Sequence, residues 1–358
     1  MSAEHLADAD ALFPPTRRAD GMVSTPVSLE TLASGNSINR TTQRRLMLVA
    51  GRSAPGLAAR IAKSLEVELG GVDMEQFENG SRACRYEESV RGADVFIVQT
   101  ATPPLDEHLI ELLVMINAAR LASAKRIIAV IPRFFYAGSD RKSQPREPIT
   151  ARLVAEMLEC AGATRVLTMD LHAGQVQGFF TIPVDHMTAL PLLAEHFRER
   201  CASEDVVVVS PDTGRTKLAG RFADMLDVPL VVLNRDSQAA RAAGRPAVIG
   251  GVDGKAAVLL DDIIDSGETL ISGATALRAA GASRVFACAT HGVFSGDAAA
   301  RLTASEIETI VVTDTVPQPT GAAKIEMLTV SGVLAHSIRN VFTDTSVSAI
   351  FAGTNELF

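Results

Sequence analysis

From Leu46 onward, short apolar runs rich in β-branched residues alternate with longer stretches whose apolar positions recur at helical spacing. The runs predict strands at 46–50, 95–100, 126–132 and 166–171, and again at 206–210, 230–233, 257–260, 285–290, 310–313 and 327–330. Helical periodicity between them predicts helices that include 56–69, 107–122, 150–161, 216–225 and 270–280. Strands that are apolar on both faces belong to parallel sheets covered by helices. The expected fold class is therefore α/β, with mostly parallel sheets flanked by helices. Two halves of similar length and rhythm meet near residue 190, which gives units 45–190 and 191–358 without an evident sequence repeat between them. Residues 1–44 break the pattern, mixing Pro14-Pro15 with Ser, Thr, Asn and paired Arg, and read as an irregular extension.

One strand runs into chemistry. The run at 257–260 is followed by Asp261 and Asp262, then by Asp265, Ser266, Gly267, Glu268 and Thr269 at the start of a helix. This predicts a buried strand that empties into a paired-acid loop. Consecutive amides with Ser and Thr hydroxyls at a helix N-terminus form a cradle for a phosphate. Carboxylates beside such a cradle can hold ribose hydroxyls directly or bind Mg²⁺ through water. A chance acidic loop is the alternative, and the order of apolar run, paired Asp, small-residue turn and helix argues against it.

Composition narrows the setting. At 358 residues the chain is too long for one core and fits two domains. A net charge of −8 argues against a nucleic-acid partner. Phosphate substrates would have to be neutralised locally, by a metal, helix ends and a few Arg or Lys side chains. No apolar run approaches the roughly 20 residues of a membrane span. The start lacks the apolar block of a secretory signal, and Cys84, Cys160, Cys201 and Cys288 are scattered without a C-x-x-C pair. A cytoplasmic protein with no membrane or nucleic-acid partner is expected.

The strand, acidic pair, turn and helix resemble the phosphoribosyl-pyrophosphate-binding motif shared by type I phosphoribosyltransferases and ribose-phosphate diphosphokinases. Other segments extend the likeness: Tyr86-Glu-Glu-Ser-Val-Arg-Gly92, Arg146-Glu-Pro-Ile-Thr-Ala151, Met169-Asp-Leu-His-Ala173, Gln177-Gly-Phe-Phe180, Ser210-Pro-Asp212, Ala289-Thr-His-Gly-Val-Phe-Ser-Gly296 and Ser346-Val-Ser-Ala-Ile-Phe351. Together they cover about residues 46–351 in order and resemble the ribose-phosphate diphosphokinase family. A simple phosphoribosyltransferase shares only the first motif and is usually one domain. The resemblance implies two phosphoribosyltransferase-like domains, assembly into a homo-hexamer, and transfer of diphosphate from MgATP to ribose 5-phosphate. It also implies that Asp265 to Thr269 hold the sugar phosphate, that Asp261 with Asp262 holds ribose hydroxyls, and that His172 and Asp212 are metal positions for Mg²⁺. On their own, a lone His reads as a satisfied core residue and Asp212 as the N-cap of the helix that follows.

The departures from the family cluster on the ATP side. The adenine segment, Phe-x-Asp-Gly-Glu in the family, is Phe77-Glu-Asn-Gly-Ser81, so Asn79 and Ser81 replace two carboxylates that accept more strongly from an amine. Gly138 and Ser139 stand where the family has Arg and Gln. Arg215 follows Ser210-Pro-Asp212 where many members carry a second Gly. Ungapped counting back from Asp261 puts Arg235 at the Lys, and Ser237 at the Arg, of a catalytic Lys-x-Arg. Arg235 is thus the candidate catalytic cation, with a planar fork in place of an ammonium. Two functions follow: a working diphosphokinase with an altered nucleotide site, or a degenerate homologue that acts as a regulatory subunit in a hetero-oligomer with an active synthetase.

Overall fold

The computed structural model describes residues 44–318 and 322–347. The expected extension, apart from Arg44, and the segment after Val347 lie outside the described residues. The first half runs β1 (Leu46–Ala50), α1 (Pro55–Leu65), β2 (Val72–Gln76), β3 (Arg82–Tyr86), β4 (Asp94–Val98), α2 (Leu105–Leu121), β5 (Arg126–Ile131), α3 (Thr150–Ala161), β6 (Arg165–Met169) and β7 (Val184–Met187). The second runs α4 (Leu190–Arg200), β8 (Val206–Ser210), α5 (Thr216–Leu226), β9 (Leu230–Asn234), α6 (Gln238–Ala243), β10 (Ala247–Ile249), β11 (Ala256–Ile264) and α7 (Glu268–Ala279). It closes with β12 (Arg284–Gly292), α8 (Ala298–Ala304), β13 (Thr309–Thr313), β14 (Ile325–Leu328) and α9 (Ser331–Phe342).

Among the described residues the strands form two main sheets. The first is parallel throughout, in the order β1-β4-β5-β6-β7. The second has the order β10-β9-β8-β11-β12-β13-β14 and is parallel except for β10, which pairs antiparallel at one edge. The expected α/β class with mostly parallel sheets is what the chain adopts.

Alternation along each strand sends side chains to two helical layers. In the first sheet Met47, Val49, Val95 and Ile97 pack toward α2 and α3, whereas Leu48, Phe96 and Val98 pack toward α1. The second sheet divides in the same way. Val207, Val209 and Leu259 face α7, while Val208, Val258 and Leu260 meet α4 and α5 around Phe197, Phe222 and Phe286. Helix α9, last in the chain, returns to the first sheet and buries Leu334, Ala335, Ile338 and Val341 beside α1.

Two of the boundaries that differ from the expected ones do so for local reasons. Helix α1 stops at Leu65, because Glu66 turns left-handed and Val67 bonds back to Ala62. The strand expected at 327–330 ends at Leu328, because Asp314 accepts from the Thr329 hydroxyl and the Val330 amide and starts α9 there. The antiparallel pair β2–β3 was not expected; its strands are short, charged and only half-buried.

Candidate active site

The acidic pair lies inside β11 and not in a loop, which corrects the expected boundary after Leu260. The neighbouring β12 is equally long, and their ladder continues through Asp261 opposite Ala289 to Ile264 opposite Gly292. That partner supplies backbone hydrogen bonds for the extra strand, so the carboxylates sit on a rigid support. The turn then closes at Gly267, whose φ of 76° favours glycine and whose Cβ position lies 2.9 Å from Leu302 side-chain atoms. Only glycine satisfies both the angle and the space.

Helix α7 starts at Glu268 behind Gly267, which has no side chain to cap it, and the Glu268 amide makes one long contact to Ser266 Oγ at 3.4 Å. Its first turn borders a cleft of about 250 Å³ lined by Asp261, Asp262, Asp265, Ser266, Gly267 and Thr269. His172 and Asp212, from the ends of β6 and β8, line the same cleft. A second pocket of about 150 Å³ adjoins it and shares His172, Arg215, Asp261 and Asp262. Strand ends of both sheets therefore meet at one place, the usual location of ligands in parallel α/β folds.

The charges in the cleft are tightly arranged. His172 Nδ1 lies 2.8 Å from Asp262 Oδ2. Arg215 Nη2 is 3.0 Å from Asp262 Oδ1, and its Nε is 3.6 Å from Asp261 Oδ1. Burial pushes the Asp261 carboxyl up to about 8, and the adjacent Asp262 adds to the effect. Burial opposes ionisation of Asp262 as well, yet the hydrogen bond with His172, the neighbouring Asp261 and the Arg215 charge hold it low. The two carboxyls are thus pushed in opposite directions, Asp262 toward its charged form and Asp261 toward its neutral one. Although close to Arg215, Asp262 Oδ1 accepts no hydrogen bond and is buried.

Behind the cleft two buried groups tie the sheets together. Asp170 Oδ2 accepts from the Ala189 amide at 2.8 Å and from the Thr290 hydroxyl at 2.6 Å. His291 Nε2 lies 3.1 Å from the Met169 carbonyl, and its Nδ1 is 2.9 Å from Thr315 Oγ1. The end of β6 is thereby fixed against β12 and β13.

Other expected site residues are elsewhere. Glu268 is not among the cleft-lining residues and pairs with Arg301 at 2.9 Å. Arg235 donates to the Thr269 carbonyl at 2.9 Å and to Ser272 Oγ at 3.0 Å, so it anchors the first turn of α7 and does not line the cleft. Phe77, Asn79 and Ser81 belong to the β2–β3 hairpin. There Phe77 is 46% exposed, and Asn79 Oδ1 accepts from the Ser81 amide and hydroxyl. Gly138 and Ser139 lie in the turn after β5, where the Ser139 amide bonds Tyr136 O at 2.8 Å. None of these five residues lines the cleft or the adjoining pocket.

Comparison with known proteins gives a consistent answer. Residues 46–162 match the N-terminal domain of ribose phosphate pyrophosphokinase, and residues 237–352 match the phosphoribosyl synthetase-associated domain. The chain is 43% identical over 318 residues to the ribose-phosphate pyrophosphokinase of Corynebacterium glutamicum, covering 88% of this chain and 98% of that one. Against the enzyme of that name from Caldanaerobacter subterraneus it is 45% identical over 308 residues, 86% and 98% of the two chains. The crystal structure of phosphoribosylpyrophosphate synthetase from Mycobacterium smegmatis superposes with a TM-score of 0.80 at 43% identity, covering 84% of this chain and all of that one. The chain belongs to the ribose-phosphate pyrophosphokinase family.

For a pyrophosphokinase-family chain the metal question follows directly. Among the described residues no group of three or more His, Cys, Asp or Glu side chains is arranged to hold a metal ion. Arg215 covers the His172 ring and is itself the N-cap of α5, and Asp212 Oδ1 accepts from the Arg215 amide at 2.9 Å in the turn before the helix. Mg²⁺ requires near-octahedral oxygen ligands. The residues as arranged do not fit a resident Mg²⁺.

Sequence reasoning passed over Arg215, Lys217 and Arg221 as site residues, and all three line the adjoining pocket. Lys217 and Arg221 stand four apart on α5, a spacing that puts both on one helical face and could have revealed them. Among the described residues no helix is long and apolar enough to cross a membrane.

Proposed function

We propose that the chain is a ribose-phosphate diphosphokinase that transfers the β,γ-diphosphoryl group of MgATP to the anomeric hydroxyl of ribose 5-phosphate. The observation that carries this reading is the first turn of α7, which follows a glycine N-cap without a side chain and borders one cleft with the paired carboxyls of Asp261 and Asp262. A sugar phosphate suits both: its oxygens meet the amides and hydroxyls of Ser266, Gly267 and Thr269, and a ribose hydroxyl donates to Asp262. Asp265, whose carboxylate accepts from Ser295 Oγ, holds the turn in shape.

In the reaction the oxygen of the anomeric hydroxyl attacks the β-phosphorus, the bond from that phosphorus to the α,β-bridging oxygen breaks, AMP leaves with that oxygen, and the hydroxyl proton passes to solvent. Such transfer depends chiefly on alignment and on neutralising charge. The cleft supports alignment: the sugar is held at both ends by groups mounted on a strand and a helix start. Mg²⁺ arrives as part of the nucleotide substrate. Phe77, Asn79, Ser81, Gly138 and Ser139 remain the candidate nucleotide contacts by family resemblance. A homo-hexamer, a cytoplasmic setting and a division into halves near residue 190 belong to the same reading. A purely regulatory subunit is not favoured, because the relatives named as pyrophosphokinases match over nearly their whole length.

The test is AMP formation by the purified chain from ATP and ribose 5-phosphate with Mg²⁺. Release of AMP that requires ribose 5-phosphate is expected. If none forms and no second synthetase subunit is present, the diphosphokinase reading fails.

A further inference from the structure

Arg215 has no task in the reaction just described, yet it is the best-connected side chain of the cleft. Its amide is held by Asp212, and its Nη1 donates to the His172 carbonyl at 3.1 Å. Nη2 lies 2.6 Å from His172 Nδ1 and 3.2 Å from Nε2. The same group reaches Asp262 at 3.0 Å, with Nε toward Asp261 at 3.6 Å. The side chain is 19% exposed. Two adjacent buried carboxyls need a counter-charge. In a cleft built around a bound divalent ion, that ion would provide it. Here the protein provides it, as a guanidinium that stays charged at any working pH.

We propose that Arg215 is the resident cation of the cleft: it takes the place between His172, Asp261 and Asp262 that a free divalent ion would otherwise fill, and it keeps the acidic pair ready for a sugar hydroxyl. Divalent metal then enters only with the nucleotide. The exclusion of free metal is independent of the substrate assignment, whereas the role toward the sugar rests on the proposed function.

The experiment titrates Mn²⁺ alone, by the electron paramagnetic resonance of the free ion, into the full-length protein without nucleotide. Wild type should show no tight site. Arg215→Gly, which installs the residue common in the family, should gain one site at least about tenfold tighter, since a unit charge about 4 Å away has been removed. Arg215→Lys should behave like wild type, and Arg215→Gln should show the gain if the glycine variant does not fold. Adding Asp262→Asn to the glycine variant should abolish the new site. A tight Mn²⁺ site in wild type, no gain in the neutral variants, or a gained site that survives Asp262→Asn would each overturn the proposal. Calorimetry with ribose 5-phosphate on the same wild-type protein separates the two readings. Absence of sugar binding there counts against the function while leaving the Mn²⁺ result to stand.

Discussion

The turn between β11 and α7 and the hairpin between β2 and β3 are both polar corners that carry family motifs, but they treat their polar groups in opposite ways. At the first, Gly267 offers α7 no side-chain cap, the Glu268 amide reaches Ser266 Oγ only at 3.4 Å, and the buried Asp262 Oδ1 faces the Arg215 guanidinium at 3.0 Å without a hydrogen bond. At the second, Asn79 closes on Ser81, and the Phe77 amide bonds the Ser81 carbonyl. A corner whose polar groups are poorly matched has more to gain from an external partner, because a buried group without a hydrogen bond costs about 1–3 kcal/mol. The hairpin satisfies itself and gains less from a ligand. On the proposed function, the cleft corner should therefore hold its ligand more tightly than the hairpin does.

The strongest test of that contrast is the double substitution Asp265→Ala with Thr269→Ala. It should abolish calorimetric binding of ribose 5-phosphate and lower AMP release by about 10²-fold or more, in the range for lost oxyanion donors. Circular dichroism should stay unchanged. Retained affinity in a folded double variant would remove the turn from the site.

Arg235→Ala sharpens the comparison from behind the same turn. Because Arg235 holds the Thr269 carbonyl and Ser272, its loss should loosen the cradle and weaken ribose 5-phosphate binding by roughly tenfold, the size of one hydrogen bond to a charged group. If kcat instead fell with sugar affinity unchanged, the guanidinium would be acting on the transferring phosphates, the role assigned to it by alignment.

The pH dependence of stability examines the rigid support behind the cleft. Burial lowers the His291 pKa; Asp170 and Asp262 oppose that shift, and Arg133 adds to it. The folded state therefore resists a proton that the unfolded chain accepts near its ordinary pKa of about 6.5. Below that pH the unfolded state binds more protons, so stability should fall as the pH drops, by at most about 1.4 kcal/mol per unit from this residue. Thermal melts between pH 7.5 and 5.5 should show the decline, and His291→Gln should flatten it. An identical slope in the variant would assign the effect to other groups.

The smallest effect is expected at the hairpin. Asn79→Asp restores a carboxylate that can still accept from Ser81, so the turn should survive. The KM for ATP should fall a few-fold, in line with charge-assisted hydrogen bonds about twice as strong as neutral ones. The KM for ribose 5-phosphate should not move. A shift in the sugar constant would mean that the two corners are not separate.

Much of this protein was legible in its sequence, and what was legible had local causes. Apolar β-branched runs fixed the two parallel sheets, since strand burial on both faces admits few other residues. The order of strand, acids, glycine turn and helix located the turn that opens α7 onto the cleft, because amides and φ are set within a few residues. Tertiary structure alone decided the rest. Partner β12 extended β11 past Leu260, so the acids became strand residues. The lack of space beside Leu302 made Gly267 obligatory. Arg215 and Arg235 are both arginines that follow a strand end, of β8 and of β9. One enters the cleft and the other grips α7 from outside it, because each long side chain goes to the buried carboxylate or carbonyl that its own strand end brings within reach.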